Sequence, residues 1–309
     1  MFIDNVMLIS NRVVVLYLLA AVGFVADKTG IFTRDSAKKA TDLLFYIVLP
    51  LAVIKSFVTM EKTPERVKGL FLTLIFSVLT HLVAIGIASL VFRGKDKMLS
   101  GVYRYATVFT NAAFLALPLA KSVIGDEGVF YCSVYVGIFN MAAFTYGIYE
   151  ISGHKAKINL KSVILNPGTI SVLIGVPLFL LSPKIPEIIM EPVSLVASLN
   201  SPLAMIVFGT FMAHANFKRI FTNKNVYIVS VIGLVVVPLI MIGIYKLFGM
   251  GGSMVVSLAI SASAPSATNA AMYAGKYDNN PEIASEVVAG SSLLSIATMP
   301  VVVALSMML

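Results

Sequence analysis

The chain has 309 residues, of which 58% are hydrophobic and 12% are charged, with a mean hydropathy of +0.93. This composition excludes a soluble globular domain and is typical of a polytopic membrane protein. The net charge of +8 does not indicate a nucleic-acid partner, because the basic residues lie in short clusters between apolar segments rather than in one patch. The single cysteine, Cys132, excludes a disulfide framework and a zinc cluster.

Ten apolar segments are long enough to cross about 30 Å of hydrocarbon. In chain order, these first to tenth predicted spans are 9–25, 37–58, 70–92, 100–123, 128–151, 162–181, 192–213, 226–248, 253–274 and 283–308. All connections are short, so the sequence predicts an all-α polytopic membrane protein without a globular insertion. The N-terminal segment has no basic region before its apolar run and no small-residue cleavage site, which predicts a retained helix rather than a removed signal peptide.

The distribution of Lys and Arg predicts the orientation of the spans. If the N-terminus is outside, the inner side holds fifteen of these residues and the outer side eight. The inner set includes Lys28, Arg93, Lys95, Arg104 and Lys276. We therefore expect a multi-pass protein of the cytoplasmic membrane with both termini outside, although the loop around Lys62 runs against the rule.

Two short sequences occur twice along the chain. Residues 110–113 and 268–271 both read TNAA, and residues 50–52 and 202–204 both read PLA. The offsets are 158 and 152 residues, and each pair lies five spans apart. An odd number of spans in each half gives the halves opposite orientations. The sequence thus predicts one membrane domain of two inverted five-helix repeats, 1–151 and 162–309, joined by a short cytoplasmic connector, 152–161.

The fourth and ninth spans each combine a proline, an asparagine and small residues near the middle. Pro118 follows Asn111 by seven residues, and Pro265 precedes Asn269 by four. Proline lacks a backbone donor and clashes with the preceding turn, so we expect a break or kink near Pro265. Broken backbone is tolerated in a membrane only where it is buried in protein or lines a cavity, and transporters bind substrates there. The alternative is an ordinary proline kink in each helix.

The sequences of these two spans, together with 274–278 (AGKYD) and 293–300 (LLSIATMP), resemble the auxin efflux carrier family, which includes bacterial members described as malonate or malate permeases. The resemblance covers essentially the whole chain. It implies ten helices, a scaffold and a mobile transport domain, crossed and broken fourth and ninth helices, elevator-type movement of an organic anion, and a homodimer. By motif position, the crossover and substrate-contact roles fall on Asn111, Pro118, Pro265 and Asn269. The family often has Gly where this chain has Ala112, Ala113 and Ala116, which predicts a narrower pocket.

Other polar residues in the spans are candidates for binding or ion coupling, because ionisable groups in a membrane are costly. Ser266 and Thr268 are predicted as secondary substrate contacts. Lys121 is a candidate for attracting an anion, or it snorkels to the interface. His81 and Glu286 are candidates for proton coupling, or they serve as an interhelical hydrogen-bonding group and a helix N-terminal acid. Asn140, Ser291, Ser292 and Ser295 line the pocket or bind a cation, or they join helices.

Catalytic functions find little support in this sequence. Three histidines and one cysteine in separate segments do not predict a metal site or a Cys-His pair, and motifs for hydrolysis or nucleotide binding do not occur. We therefore expect a secondary transporter of small organic anions, mono- or dicarboxylates or auxin-like acids, that is not an enzyme and has no cofactor or bound metal. Coupling to H+ or Na+ and the direction of transport stay open. The alternatives are a membrane sensor or partner-binding protein on a carrier fold, and a channel.

Overall fold

A computed structural model describes residues 1–94, 96–157 and 159–309, and the regular structure of these residues is helical. The helices are α1 (Phe2–Lys28), α2 (Arg34–Val58), α3 (Pro64–Val91), α4 (Lys97–Val108), α5 (Ala112–Ile124), α6 (Asp126–Ile151), α7 (Pro167–Leu181), α8 (Glu187–Met212), α9 (Lys224–Leu247), α10 (Gly252–Ser263), α11 (Asn269–Lys276) and α12 (Pro281–Ser306). Two short helices, Leu160–Ile164 and Phe217–Thr222, lie in connections.

Seven helices in the described part of the chain are long and apolar enough to cross a membrane, namely α1, α2, α3, α6, α8, α9 and α12. Helices α5, α7 and α10 are apolar but shorter. The prediction of an all-α polytopic membrane protein is confirmed. The fourth predicted span is divided into α4 and α5, and the ninth into α10 and α11. Lys95, which the orientation prediction counts, lies outside the described residues.

The helices differ in how deeply they are buried. The most apolar 18-residue window of α6 is 72% buried and that of α12 is 67% buried, whereas that of α1 is 28% buried. Large buried side chains lie in this region, for example Tyr105 in α4, Phe109 directly after α4, and Tyr135 in α6. The core therefore lies around these inner helices, and α1 lies at the periphery with much of its apolar surface exposed.

Three prolines follow widened turns inside helices. Pro50, Pro118 and Pro238 each come two residues after a π-helical turn, at 44–48, 112–116 and 232–236 respectively. A proline cannot donate to the carbonyl four residues earlier, and its ring clashes with that carbonyl. A π-helical turn changes the hydrogen-bond register at that point, so the helix continues past the proline.

Helices α1 and α8 approach each other at two glycines. A Cβ atom on Gly209 would lie 1.7 Å from the Ala20 carbonyl oxygen, and one on Gly23 would lie 2.0 Å from the Ile206 oxygen. The Thr210 hydroxyl donates to the Gly23 carbonyl at 3.2 Å. Small residues allow such close backbone contact between membrane helices. These two helices thus form a tightly packed pair.

One buried ion pair connects the end of α6 to α4. The Arg104 guanidinium lies 3.2 Å from the Glu150 carboxylate and also donates to the Phe92 carbonyl at 2.8 Å. The imidazole of His154 lies 3.4 Å from the same carboxylate. Nearby, the Asn279 amide donates to the Ile151 carbonyl at 2.7 Å. Asn279 also donates to the Met98 carbonyl at 2.8 Å, so the ends of α3, α6 and α11 are all held to α4.

Candidate substrate site at the helix crossing

The breaks in the fourth and ninth predicted spans meet in space. Between α4 and α5, and between α10 and α11, the backbone leaves the helical conformation, and the two segments run antiparallel. The Ala267 N–H donates to the Phe109 carbonyl at 2.8 Å, and the Asn111 N–H donates to the Pro265 carbonyl at 2.6 Å. Thr110 and Ser266 form the bridge between these two bonds. We call this paired region, 109–111 with 265–267, the crossing.

The middle of the crossing agrees with the repeat in the sequence. Phe109 and Ala267, which share a hydrogen bond, are 158 residues apart, the same offset as the two TNAA segments. A two-fold axis that relates the two segments would pass midway between a residue and its equivalent in the other segment. Phe109 and Ala267 are such equivalents, and they face each other at the middle of the crossing. Asn111 and Asn269 then lie two residues beyond the centre, one on each side.

Four helix ends converge on the crossing. Helices α4 and α10 end there with their carbonyl groups, and α5 and α11 begin there with their N–H groups. Among the residues that the structure describes, no side chain caps the N-terminus of α5 or α11. A helix N-terminus carries partial positive charge and a C-terminus partial negative charge. Segments 97–124 and 252–276 contain no Asp or Glu, so no carboxylate of these segments opposes an anion at the N-termini of α5 and α11.

The two asparagines present amide donors. Asn111 is 4% exposed, and its Nδ2 has no hydrogen-bond partner among the described residues. The Tyr105 hydroxyl donates to Oδ1 of Asn269 at 3.0 Å, which leaves the NH2 group of Asn269 as its free hydrogen-bonding group. Thr268 and Asn269 are half-buried. A buried donor without a partner is costly, and a carboxylate oxygen is a strong acceptor for it.

Ser266 has a different environment from these asparagines. Its backbone N–H donates to Oγ of Ser291 at 3.1 Å, and its hydroxyl donates to the Ala106 carbonyl at 2.6 Å. Both of its donors are therefore used within the protein. The bonds hold the extended segment before α11 against α4 and α12.

A small cavity borders the crossing on the side of α9. It offers about 10 Å³ to the centre of a water-sized sphere, which is room for about one water molecule. A dicarboxylate does not fit into this space.

The family described as membrane transport protein matches residues 8–162 and 155–303 of the chain. The chain belongs to that family. The resemblance to the auxin efflux carriers is thereby confirmed. The family and its named relatives are membrane transporters rather than enzymes.

Two archaeal relatives are similar to this membrane transport protein. An uncharacterized transporter of Methanocaldococcus jannaschii is 24% identical over 218 residues, covering 67% of this chain and 70% of the relative. An uncharacterized transporter of Methanothermobacter thermautotrophicus is 22% identical over 296 residues, covering 94% of this chain and 96% of the relative. The second similarity extends over nearly the full length of both proteins.

In this transporter the break before α5 lies at 109–111, seven residues ahead of Pro118. Pro118 is the seventh residue of α5 and is buried within it. The structure therefore places Pro265 in the crossing and Pro118 outside it. The π-helical turn ahead of Pro118 explains the difference, because it lets the helix continue past the proline.

His81 lies next to the crossing through an aromatic neighbour. Its ring centroid is 6.1 Å from that of Phe109 and 5.1 Å from that of Tyr135. Nδ1 lies 2.7 Å from the Ser77 carbonyl oxygen, which only accepts, so Nδ1 carries the hydrogen. Nε2 is buried with no partner among the described residues.

Lys121 and Glu286 lie away from the crossing in ion pairs of their own. The Lys121 ammonium pairs with Asp126 at an exposed helix end. Glu286 is 7% exposed and accepts from the Asn223 amide at 3.0 Å, while Arg219 lies 3.8 Å from it. Among the described residues, no group of three or more His, Cys, Asp or Glu side chains lies close enough to hold a metal ion.

Two residues near the site of this transporter were not predicted from the sequence to belong to it. Tyr105 orients the Asn269 amide from one turn before the end of α4. Phe114 packs in a cluster with Leu44 of α2 and Ala204 of α8, so the start of α5 touches both of these helices. Tyr105 is an aromatic residue within an apolar span, and no sequence pattern distinguishes it. Phe114 lies three residues after Asn111 in the sequence, and this proximity could have indicated its place near the site.

Proposed function

We propose that the protein is a secondary transporter that moves small organic anions, mono- or dicarboxylates, across the cytoplasmic membrane. The observation that carries this proposal is the crossing itself. It brings together two helix N-termini that no described side chain caps and the amides of Asn111 and Asn269, and segments 97–124 and 252–276 contain no acidic residue. Such a set of donors suits a carboxylate and opposes a cation at the same position.

In this proposal each asparagine binds the anion through its NH2 group. Asn111 is the stronger candidate, because its buried Nδ2 has no hydrogen-bond partner in the described part of the chain. Thr268, half-buried beside Asn269, supplies a hydroxyl. Ser266, Pro118 and Pro265 shape the backbone around the anion rather than bind it.

We further propose ten transmembrane helices arranged as two inverted repeats, 1–151 and 162–309, with both termini outside. The 158-residue spacing of Phe109 and Ala267 supports the repeat, because these residues pair at the middle of the crossing. In this arrangement α4 with α5 forms one transmembrane segment, and α10 with α11 forms its equivalent. The residues 152–161 connect the repeats on the cytoplasmic side.

Transport in this arrangement proceeds by elevator-type alternating access. Helices α1 and α8 form the tight pair described above, and α7 packs on α2, which makes these four the static frame. The remaining helices carry the crossing. Tyr17 of α1 bonds the Ser292 carbonyl at 2.5 Å and the Ser295 hydroxyl at 2.9 Å in α12. These bonds join the static frame to the remaining helices, so they must break when the remaining helices move against the frame.

The experiment is uptake of radiolabelled malonate, malate, succinate and indole-3-acetate into proteoliposomes, with the wild type and with Asn111→Ala and Asn269→Ala. A hydrogen bond to a charged group contributes about 1.5–3 kcal/mol, so each variant is expected to lower uptake efficiency at least about ten-fold. Asn140→Ala is the control, because the Asn140 amide donates to the Val136 carbonyl within α6. Unchanged uptake by a folded double variant refutes the assignment of the site.

A further inference from the structure

The residues around the cavity beside the crossing include five that carry hydroxyl groups, and these come from four parts of the chain. Thr107 comes from α4, Thr110 and Ser266 from the crossing, Ser230 from α9 and Ser291 from α12. The apolar side chains of Val229 and Leu234 complete the wall. Since the cavity has room for about one water molecule, its occupant is a single small species.

Every one of these hydroxyls donates its hydrogen to a backbone carbonyl. Thr107 donates to the Tyr103 oxygen at 2.7 Å, Thr110 to Ser261 at 2.8 Å, Ser230 to Val226 at 2.6 Å, Ser266 to Ala106 at 2.6 Å, and Ser291 to Val288 at 3.1 Å. A hydroxyl has one hydrogen to donate. The five groups therefore have no hydrogen left to offer, and their remaining hydrogen-bonding capacity is as acceptors, although Oγ of Ser291 already accepts from the Ser266 N–H at 3.1 Å.

A backbone carbonyl adds to this acceptor set. In an unbroken helix the Asn111 N–H would donate to the Thr107 carbonyl, but it donates to Pro265 instead. The Thr107 carbonyl oxygen faces α9, where a Cβ built on Gly233 would lie 3.4 Å from it. It also belongs to the C-terminal turn of α4, which carries partial negative charge.

We propose that this cavity is a Na+ site. A water molecule has two hydrogens and would leave most of these acceptors unmatched, whereas a cation is attracted to each of them. Hard cations prefer oxygen ligands, and unwound backbone carbonyls with helix C-termini hold Na+ in transporters. None of the described residues that line the cavity carries a carboxylate, so a monovalent ion suits it better than Ca2+ or Mg2+, which bind through carboxylates.

The site links Na+ to the anion, and this part of the inference rests on the proposed function. Thr110 lines the cavity and directly precedes Asn111, while Ser266 lines it two residues before Thr268. A bound Na+ would hold both extended segments of the crossing in place and neutralise acceptors beside the anion. By linkage, Na+ then raises the affinity for the anion, and the anion raises the affinity for Na+.

The first test measures thermal unfolding of the purified protein in NaCl, KCl and N-methyl-D-glucamine chloride at equal ionic strength, without substrate. At about 100 times the dissociation constant, Na+ is expected to raise the Tm of the wild type by about 5 °C over the other cations. Thr107→Val and Ser230→Ala are expected to abolish this difference. Thr73→Val should retain it, because the buried Thr73 hydroxyl makes the same bond to the carbonyl four residues earlier in α3, away from the cavity.

Equal Tm values in the three salts would show that the cavity holds a water only and would overturn the proposal. A Na+ effect that persists in both Thr107→Val and Ser230→Ala would place the ion elsewhere and would overturn it as well. Uptake measurements separate the two proposals. Saturable anion uptake whose rate does not change with a Na+ gradient refutes Na+ coupling and is consistent with the carrier function. Na+-specific stabilisation without uptake of any anion refutes the carrier proposal alone.

Discussion

Replacing Gly209 by alanine tests whether α1 and α8 form one rigid pair. The added Cβ would lie 1.7 Å from the Ala20 carbonyl oxygen, so the helices must separate locally by about 1.5 Å to restore an ordinary contact. The separation also strains the bond from Thr210 to the Gly23 carbonyl. Overpacking of this kind costs about 1–3 kcal/mol. We expect the Tm to fall by about 3–10 °C.

Thermal unfolding in detergent, followed by fluorescence-detected size exclusion, measures this change. Gly243→Ala is the matched control, because Gly243 lies inside α9 and a Cβ there meets nothing within 4 Å. In a helix interior this control replacement is expected to stabilise by about 0.5–1 kcal/mol. If Gly209→Ala unfolds at the wild-type temperature while the control behaves as expected, the close contact between the two helices is refuted.

Three further predictions concern charged and polar side chains. Arg104→Ala leaves the buried Glu150 carboxylate with only the His154 imidazole beside it. The free energy of unfolding should fall by about 3 kcal/mol, as measured by chemical or thermal unfolding. Asn279→Ala removes two hydrogen bonds to helix-end carbonyls, with an expected loss of about 1–3 kcal/mol in the same measurement. Lys121→Gln should change the KM of anion uptake less than about two-fold, because the ammonium pairs with Asp126 at an exposed end; a large rise would contradict this.

The chemistry of proline made part of the site predictable. A break near Pro265 follows from the missing donor, and α10 does end at Ser263. The same argument does not locate the break before α5, which falls at 109–111 rather than at Pro118. A π-helical turn accommodates Pro118, and this depends on packing around the turn rather than on local sequence. The matched asparagines were the better guide to the crossing.

The cation cavity could not be predicted from the sequence. Thr107, Ser230 and Ser291 are ordinary hydroxyl residues in apolar helices, where such side chains commonly bond to the preceding turn. Their common property arises only when three distant helices bring them to one point. The serines of α12 look alike in the sequence but differ in the structure. Ser291 lines the cavity, whereas the Ser292 carbonyl and the Ser295 hydroxyl are hydrogen-bonded to Tyr17 of α1.

The environment of the lone cysteine has a practical consequence. Cys132 is fully buried, and its sulfur lies 3.1 Å from the hydroxyl of Ser261, the residue whose carbonyl accepts from Thr110 at the crossing. A thiol reagent cannot reach it while α6 and α10 stay packed. The chain has no other cysteine. The rate at which a thiol reagent labels the wild-type protein therefore reports how often α6 and α10 separate, and no cysteine has to be introduced for the measurement.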